Sequence, residues 1–138
     1  AYLDAVLRET QRMFPVAPMV ARMVGEDVSI GGGAHIPKGT AAQIWIWALH
    51  NDPSVWGDPG VFRPERWLER QSDEQRSSFM PFSTGGRNCA GQRFATIALR
   101  VIVARLAGRF RIDATSPGEI APMCVGFTML PGTRVGAR

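Results

Sequence analysis

Leu3, Val6, Leu7 and Met13, with Phe14 at the end, recur at helical spacing, while Asp4, Arg8, Glu9 and Arg12 lie largely elsewhere. This pattern predicts an amphipathic helix over residues 1–14, stopped by Pro15 and Pro18. Residues 19–46 read as short strands at 19–24, 28–30 and 40–46, parted by the Gly31-Gly32-Gly33 turn and by Pro37-Lys38-Gly39. Periodicity leaves residues 45–51 open between a last strand turn and a short helix. Ala1 already stands inside the helical pattern, an odd place for a natural protein to begin, and the chain is expected to be part of a larger one.

Prolines and glycines then recur at Pro53, Gly57, Pro59, Gly60, Pro64 and Pro81. The spacing predicts an ordered meander over residues 51–81, with a helical turn near 72–77. Long irregular stretches in a compact protein are usually functional. A glycine-rich cysteine loop (82–91) leads into a helix over 91–110. That helix is apolar nearly all round (Phe94, Ile97, Leu99, Val101, Ile102, Leu106), which predicts burial. Terminal strands follow over 110–138, at 110–112, 124–130 and 133–135, with turns at Pro117-Gly118 and Pro131-Gly132.

With 138 residues, 45% of them hydrophobic, the chain is long enough for one folded domain and excludes wholesale disorder. Cys89 and Cys124 allow at most one disulfide, which excludes a disulfide-framed module. No apolar run approaches the ~18 residues needed to cross a bilayer, and a signal peptide ahead of the first helix is not expected. Fifteen of the sixteen cations are arginine, Lys38 being the single lysine, and the formal charge is +4. A pI near 10.0 raises nucleic acid as a partner. The arginines are scattered and form no stripe, so nucleic-acid binding is not expected.

The chemistry concentrates in Phe82-Ser83-Thr84-Gly85-Gly86-Arg87-Asn88-Cys89-Ala90-Gly91. Glycines let the backbone approach a flat partner closely. Free amides and the dipole at a helix start, with Arg87 nearby, favour an anionic sulfur at Cys89. A nucleophile would need an adjacent base, and neither His35 nor His50 has an evident link to the loop. Zinc would need several close Cys or His ligands, which are absent. A single thiolate suits haem iron, whose porphyrin brings its own four donors.

Phe82-x-x-Gly85-x-Arg87-x-Cys89-x-Gly91 resembles the cysteine-loop signature of the cytochrome P-450 haem-thiolate monooxygenases. Five fixed positions match by chance at roughly 3×10⁻⁷ per start, so the motif is specific. Two further segments follow the family order: Glu9-x-x-Arg12, whose i,i+3 spacing places both on one helix face, and Phe62-Arg63-Pro64-Glu65-Arg66-Trp67. Ala48-Leu49-His50-Asn51-Asp52-Pro53 is also similar, with Asn51 where Arg is common and Trp67 where Phe is usual. His50 reads as a hydrogen-bonded turn residue.

The resemblance covers essentially the whole chain and implies a mainly α fold with small β-sheets (α+β), the C-terminal part of the cytochrome P-450 fold. It implies that Cys89 is the axial ligand of haem b iron, its electron release favouring O–O cleavage. Phe82 would shield the thiolate, Arg87 and Arg22 would bind haem propionates, and Gly91 and Ala95 would allow close approach of the porphyrin. Glu9, Arg12 and Arg66 would form a buried structural cluster. Ala17, Met19 and Val20, then Gly126, Phe127 and Thr128, would line the pocket for a lipophilic substrate.

The implied activity inserts one oxygen atom of O2 into that substrate. Electrons come from NAD(P)H through a redox partner, a flavoprotein reductase or a ferredoxin, docking near Cys89, with Arg70, Arg76 and Arg93 as candidates. A haem-thiolate peroxygenase or isomerase would share every motif. The chain by itself, lacking the distal half of the pocket, is expected to be inactive. The compartment is left between the cytoplasm and the cytoplasmic face of a membrane.

Overall fold

The computed structural model describes residues 1–112, 122–125 and 128–131. It is mainly α with small antiparallel sheets. Helix α1 (Tyr2–Met13) carries Asp4 in its first turn and Arg12 in its last, both favourable to the helix dipole. Its fully buried residues are Ala5, Glu9 and Arg12, one stripe at helical spacing, while Leu3, Val6 and Leu7 are only half-buried. The face turned inward is thus the charged one.

Beyond Pro15 the chain enters β1 (Val20–Met23), which pairs antiparallel with β4 (Ala41–Ile44), Val20 opposite Ile44 and Met23 opposite Ala41. Between them β2 (Val28–Ser29) and β3 (His35–Ile36) form a second hairpin. Its turn is a short 3-10 segment in which Gly32 and Gly33 take φ of 75° and 77°, a region that favours glycine. Residues 45–51 resolve as a short helix, α2 (Ile46–His50), that buries Ile46 and His50.

The meander holds three small elements. Asp52 caps α3 (Pro53–Trp56) by accepting the Ser54 amide at 2.9 Å, with Pro53 at the first helical position. A 3-10 turn follows at Pro64–Trp67. In α4 (Asp73–Ser78), Ser72 and Gln75 form a reciprocal capping box. Trp56, Trp67, Phe79 and the His50 ring pack together, with neighbouring centroids 4.5 to 6.3 Å apart.

Helix α5 (Gln92–Arg109) corrects one expectation from sequence. It was expected to be buried, yet Phe94, Ile97, Val101 and Ile102 are all exposed. An apolar surface needs an element to cover it, and among the described residues α1 covers only part of this helix. The strand expected at 110–112 is irregular. A last hairpin pairs β5 (Pro122–Val125) with β6 (Thr128–Pro131), and the Met129 amide donates to the Val16 carbonyl at 2.8 Å. The strand expected at 133–135 and the Pro117-Gly118 turn lie outside the described residues.

Candidate functional site: a cysteine loop on a buried charge cluster

Glu9 accepts five hydrogen bonds. Its Oε1 takes Arg12 Nη2 at 2.9 Å, Arg66 Nε at 3.1 Å and the Arg63 amide at 3.1 Å. Its Oε2 takes Arg12 Nε at 3.0 Å and Trp67 Nε1 at 2.9 Å. Burial pushes this carboxyl up. The Arg12 bond, the Arg63 amide, the Arg12 charge and the Trp67 indole outweigh that cost and hold it below the usual range.

The guanidiniums spend their remaining donors on loop carbonyls. Arg12 donates to His50 O at 2.8 Å and Pro59 O at 2.7 Å, and Arg66 to Trp56 O at 2.8 Å. One carboxylate and two planar forks thereby tie α1, α2 and the meander together. Glu9, Arg12 and Arg66 are in direct contact in the structure. Trp67 and the Arg63 backbone amide were not foreseen as members. The signal for Trp67 was available: an indole N–H beside a buried carboxylate finds an acceptor where a phenyl ring has nothing to give.

The meander delivers the chain to the cysteine loop. The Cys89 amide donates to Phe82 O at 2.9 Å, closing the loop, and Gln92 and Ala95 amides bond Cys89 O and Gly91 O as α5 begins. Gly85 takes φ 77° and Ser83 φ 62°. For serine the left-handed region costs about 1 kcal/mol, a strain that collects at working loops.

Cys89 is exposed, as are Arg87 and Gly91, while Phe82 and Ala95 are half-buried. A Cβ on Gly91 would stand 3.8 Å from Cys89 Sγ, in ordinary contact with the sulfur. A Cβ on Gly85 or Gly86 meets nothing within 4 Å. The loop therefore presents one sulfur on an open, glycine-lined surface. No group of three or more His, Cys, Asp or Glu able to hold a metal occurs among the described residues. That donor set fits haem, which needs one protein sulfur and an unobstructed face.

The other candidates are more scattered. Arg22 is exposed on β1 and donates to the Ala21 carbonyl at 2.9 Å. Ala17, Met19 and Val20 are half-buried and Thr128 is exposed. The Met129–Val16 bond brings the two proposed pocket segments side by side, and Gly126 and Phe127 lie outside the described residues. Arg70, Arg76 and Arg93 are exposed, Arg76 paired with Asp73. A cleft of about 430 Å³ between α1, α4 and α5 is lined by Arg76, Phe82, Gln92 and Arg100. Among the described residues no helix is long and apolar enough to cross a membrane.

The fold thus joins small antiparallel sheets, a charge-locked meander and a glycine-rich cysteine loop ahead of a long helix. The cytochrome P450 family model matches residues 1–133, and the chain belongs to that family of haem monooxygenases. It is 40% identical over 119 residues to cytochrome P450 4c3 of Drosophila melanogaster, covering 86% of this chain and 22% of that protein. Cytochrome P450 3A13 of Mus musculus is 41% identical over 120 residues, 86% of this chain and 24% of the relative. A probable cytochrome P450 525A1 of Dictyostelium discoideum is 38% identical over 121 residues, 81% and 20% respectively. The chain thus spans about a fifth to a quarter of the length of these relatives.

Proposed function

We propose that the chain supplies the haem-ligating part of an O2-dependent monooxygenase acting on a lipophilic substrate. The observation that carries this reading is the exposed Cys89 on a glycine-lined loop, its amide bonded back to the Phe82 carbonyl just ahead of α5. Cys89 Sγ would hold haem iron, and bound haem would supply the O2 chemistry that puts one oxygen atom into substrate and the other into water. Phe82 would pack beside the sulfur once haem is bound and so tune its donor strength. Arg87 and Arg22 are the residues to bind the propionates, and Gly91 and Ala95 keep the porphyrin face clear. The Glu9–Arg12–Arg66 cluster touches no reacting atom; it holds the meander in place.

Lipophilic substrate contacts are assigned to Ala17, Met19 and Val20 with Gly126, Phe127 and Thr128. The two electrons come from NAD(P)H through a flavoprotein reductase or ferredoxin. Its acidic face would dock beside Cys89 on Arg70, Arg76 and Arg93, a long-range attraction that salt weakens. The test is one spectrum. The reduced full-length protein under carbon monoxide is expected to show the thiolate-specific red-shifted Soret band, and Cys89→Ser to abolish it. A wild type without that band defeats the reading.

A further inference from the structure

His50 is fully buried, and both its ring nitrogens are engaged. Nδ1 stands 3.1 Å from the Arg12 carbonyl oxygen, and Nε2 accepts the Met80 backbone N–H at 3.0 Å. The ring also stacks on Phe79, with centroids 5.3 Å apart. A carbonyl only accepts and an amide N–H only donates, so one form of the ring satisfies both: hydrogen on Nδ1, lone pair on Nε2. The two main-chain groups it joins are loose ends. The Arg12 carbonyl belongs to the last turn of α1, where helical partners run out. Met80 lies between α4 and the cysteine loop, two residues before the Phe82 whose carbonyl receives the Cys89 amide.

A second proton on the ring would aim an N–H at the Met80 N–H and set a cation beside Arg12. The charged groups around His50 are Arg12 and, behind it, Glu9 from α1, with Arg66 from the meander. Asp73, Glu74 and Arg76 of the neighbouring α4 are exposed. Burial, the largest cause, pushes the imidazole down to about 4, which keeps it neutral at pH 7.

We propose that neutral His50 is a positioning residue for the Cys89 sulfur, clipping Met80, and through Phe82 the whole cysteine loop, to the end of α1. The role rests on the reading of Cys89 as haem ligand. It goes beyond the Glu9 cluster because it acts on the loop itself, through an uncharged bond.

The test uses the haem-loaded full-length protein with three substitutions. His50→Gln places an amide oxygen near the Nε2 position and retains the Met80 bond. His50→Asn is too short for Met80 and retains only the Arg12 side. His50→Phe keeps the stacking and makes neither bond. Two quantities are read: hydrogen exchange of the Met80 amide, and the share of the ferrous carbon monoxide complex in the red-shifted thiolate band. The Asn and Phe variants are expected to lose Met80 protection about tenfold, the scale of one hydrogen bond, and to move part of the complex to the blue-shifted form. Gln should hold near wild type on both.

An Asn variant that matches wild type overturns the role of His50 while the haem reading stands. A wild type with no red-shifted band defeats the haem reading, and this role with it. If Asn and Phe do not fold, wild type decides by acidification from pH 7 toward 4. Met80 protection should then fall while the Ala95 amide of α5 stays protected, and simultaneous loss of both overturns the clip.

Discussion

The end of α1 and the length of α5 reverse the usual rule about what lies inside. Glu9 and Arg12 are 0% exposed, whereas Phe94 is 79% and Ile97 59% exposed. Side-chain polarity alone ranks these four the other way round. What separates them is the supply of partners. Around Glu9 five donors converge from α1, the meander turn and the Trp67 indole, so an expensive charge is fully compensated. Along α5 the packing that the described residues bring comes mainly from α1, whose Asp4 pairs with Arg100 at an exposed edge. Burial is a property of the pair of surfaces, and an apolar face without its mate stays wet.

Breaking the first region should have the largest effect. Glu9→Ala leaves Arg12 and Arg66 buried without their anion, and should destabilise the folded protein by about 3–5 kcal/mol, read from denaturant midpoints. An unchanged midpoint would mean that water or another group replaces the carboxylate without cost.

Acidification attacks the same region more gradually. His50 is held neutral in the fold at about 4 and takes up a proton near 6.5 when unfolded. The unfolded state therefore binds the proton first, and stability falls as pH drops from about 6.5 toward 4, by about 3 kcal/mol in all. Glu9 acts in the same direction. Its lowered carboxyl contributes stability present above the ordinary glutamate range and lost as pH falls through its folded value. A His50→Phe protein should lose the His50 part of this slope, and an identical slope in calorimetric melts at stepped pH would refute the assignment.

Trp67→Phe keeps the ring against Phe79 and removes one donor from Glu9. A hydrogen bond to a charged group is worth about 1.5–3 kcal/mol; with four donors left on the carboxylate, the low end is expected. Equal stability of the two proteins would show the indole N–H to be spectator. Smallest of all is the α5 edge. Asp4→Asn breaks a half-exposed pair with Arg100 and should cost less than about 1 kcal/mol, an effect that salt removes. A cost as large as that of Glu9→Ala would erase the contrast between the two regions.

Local features were readable because they are set by neighbours in the chain. The i,i+3 spacing of Glu9 and Arg12, the prolines that end α1 and the helical turn near 72–77 each depend on a few residues. So did the turn at 31–33, where only glycine takes two positive φ values in succession at little cost. The α5 face failed for a reason of the same kind. Periodicity reports which side of a helix wants cover and is silent on whether cover is at hand. Trp67 was opaque in role, and His50 was legible as a hydrogen-bonded residue whose partners were not, since the Glu9 and Met80 groups they meet lie 58 and 30 positions away.

Helix α1, the 31–33 turn, the meander and the thiol ahead of α5 were legible in the sequence, because hydrophobic period, proline and glycine act over a few residues. Long-range packing set the rest: a carboxylate that collects five donors, a neutral imidazole that joins Arg12 to Met80, and an α5 that presents Phe94 and Ile97 to solvent. Those outcomes rest on hydrogen-bond geometry and desolvation among residues distant in the chain, and such energies exist only once the surfaces have met.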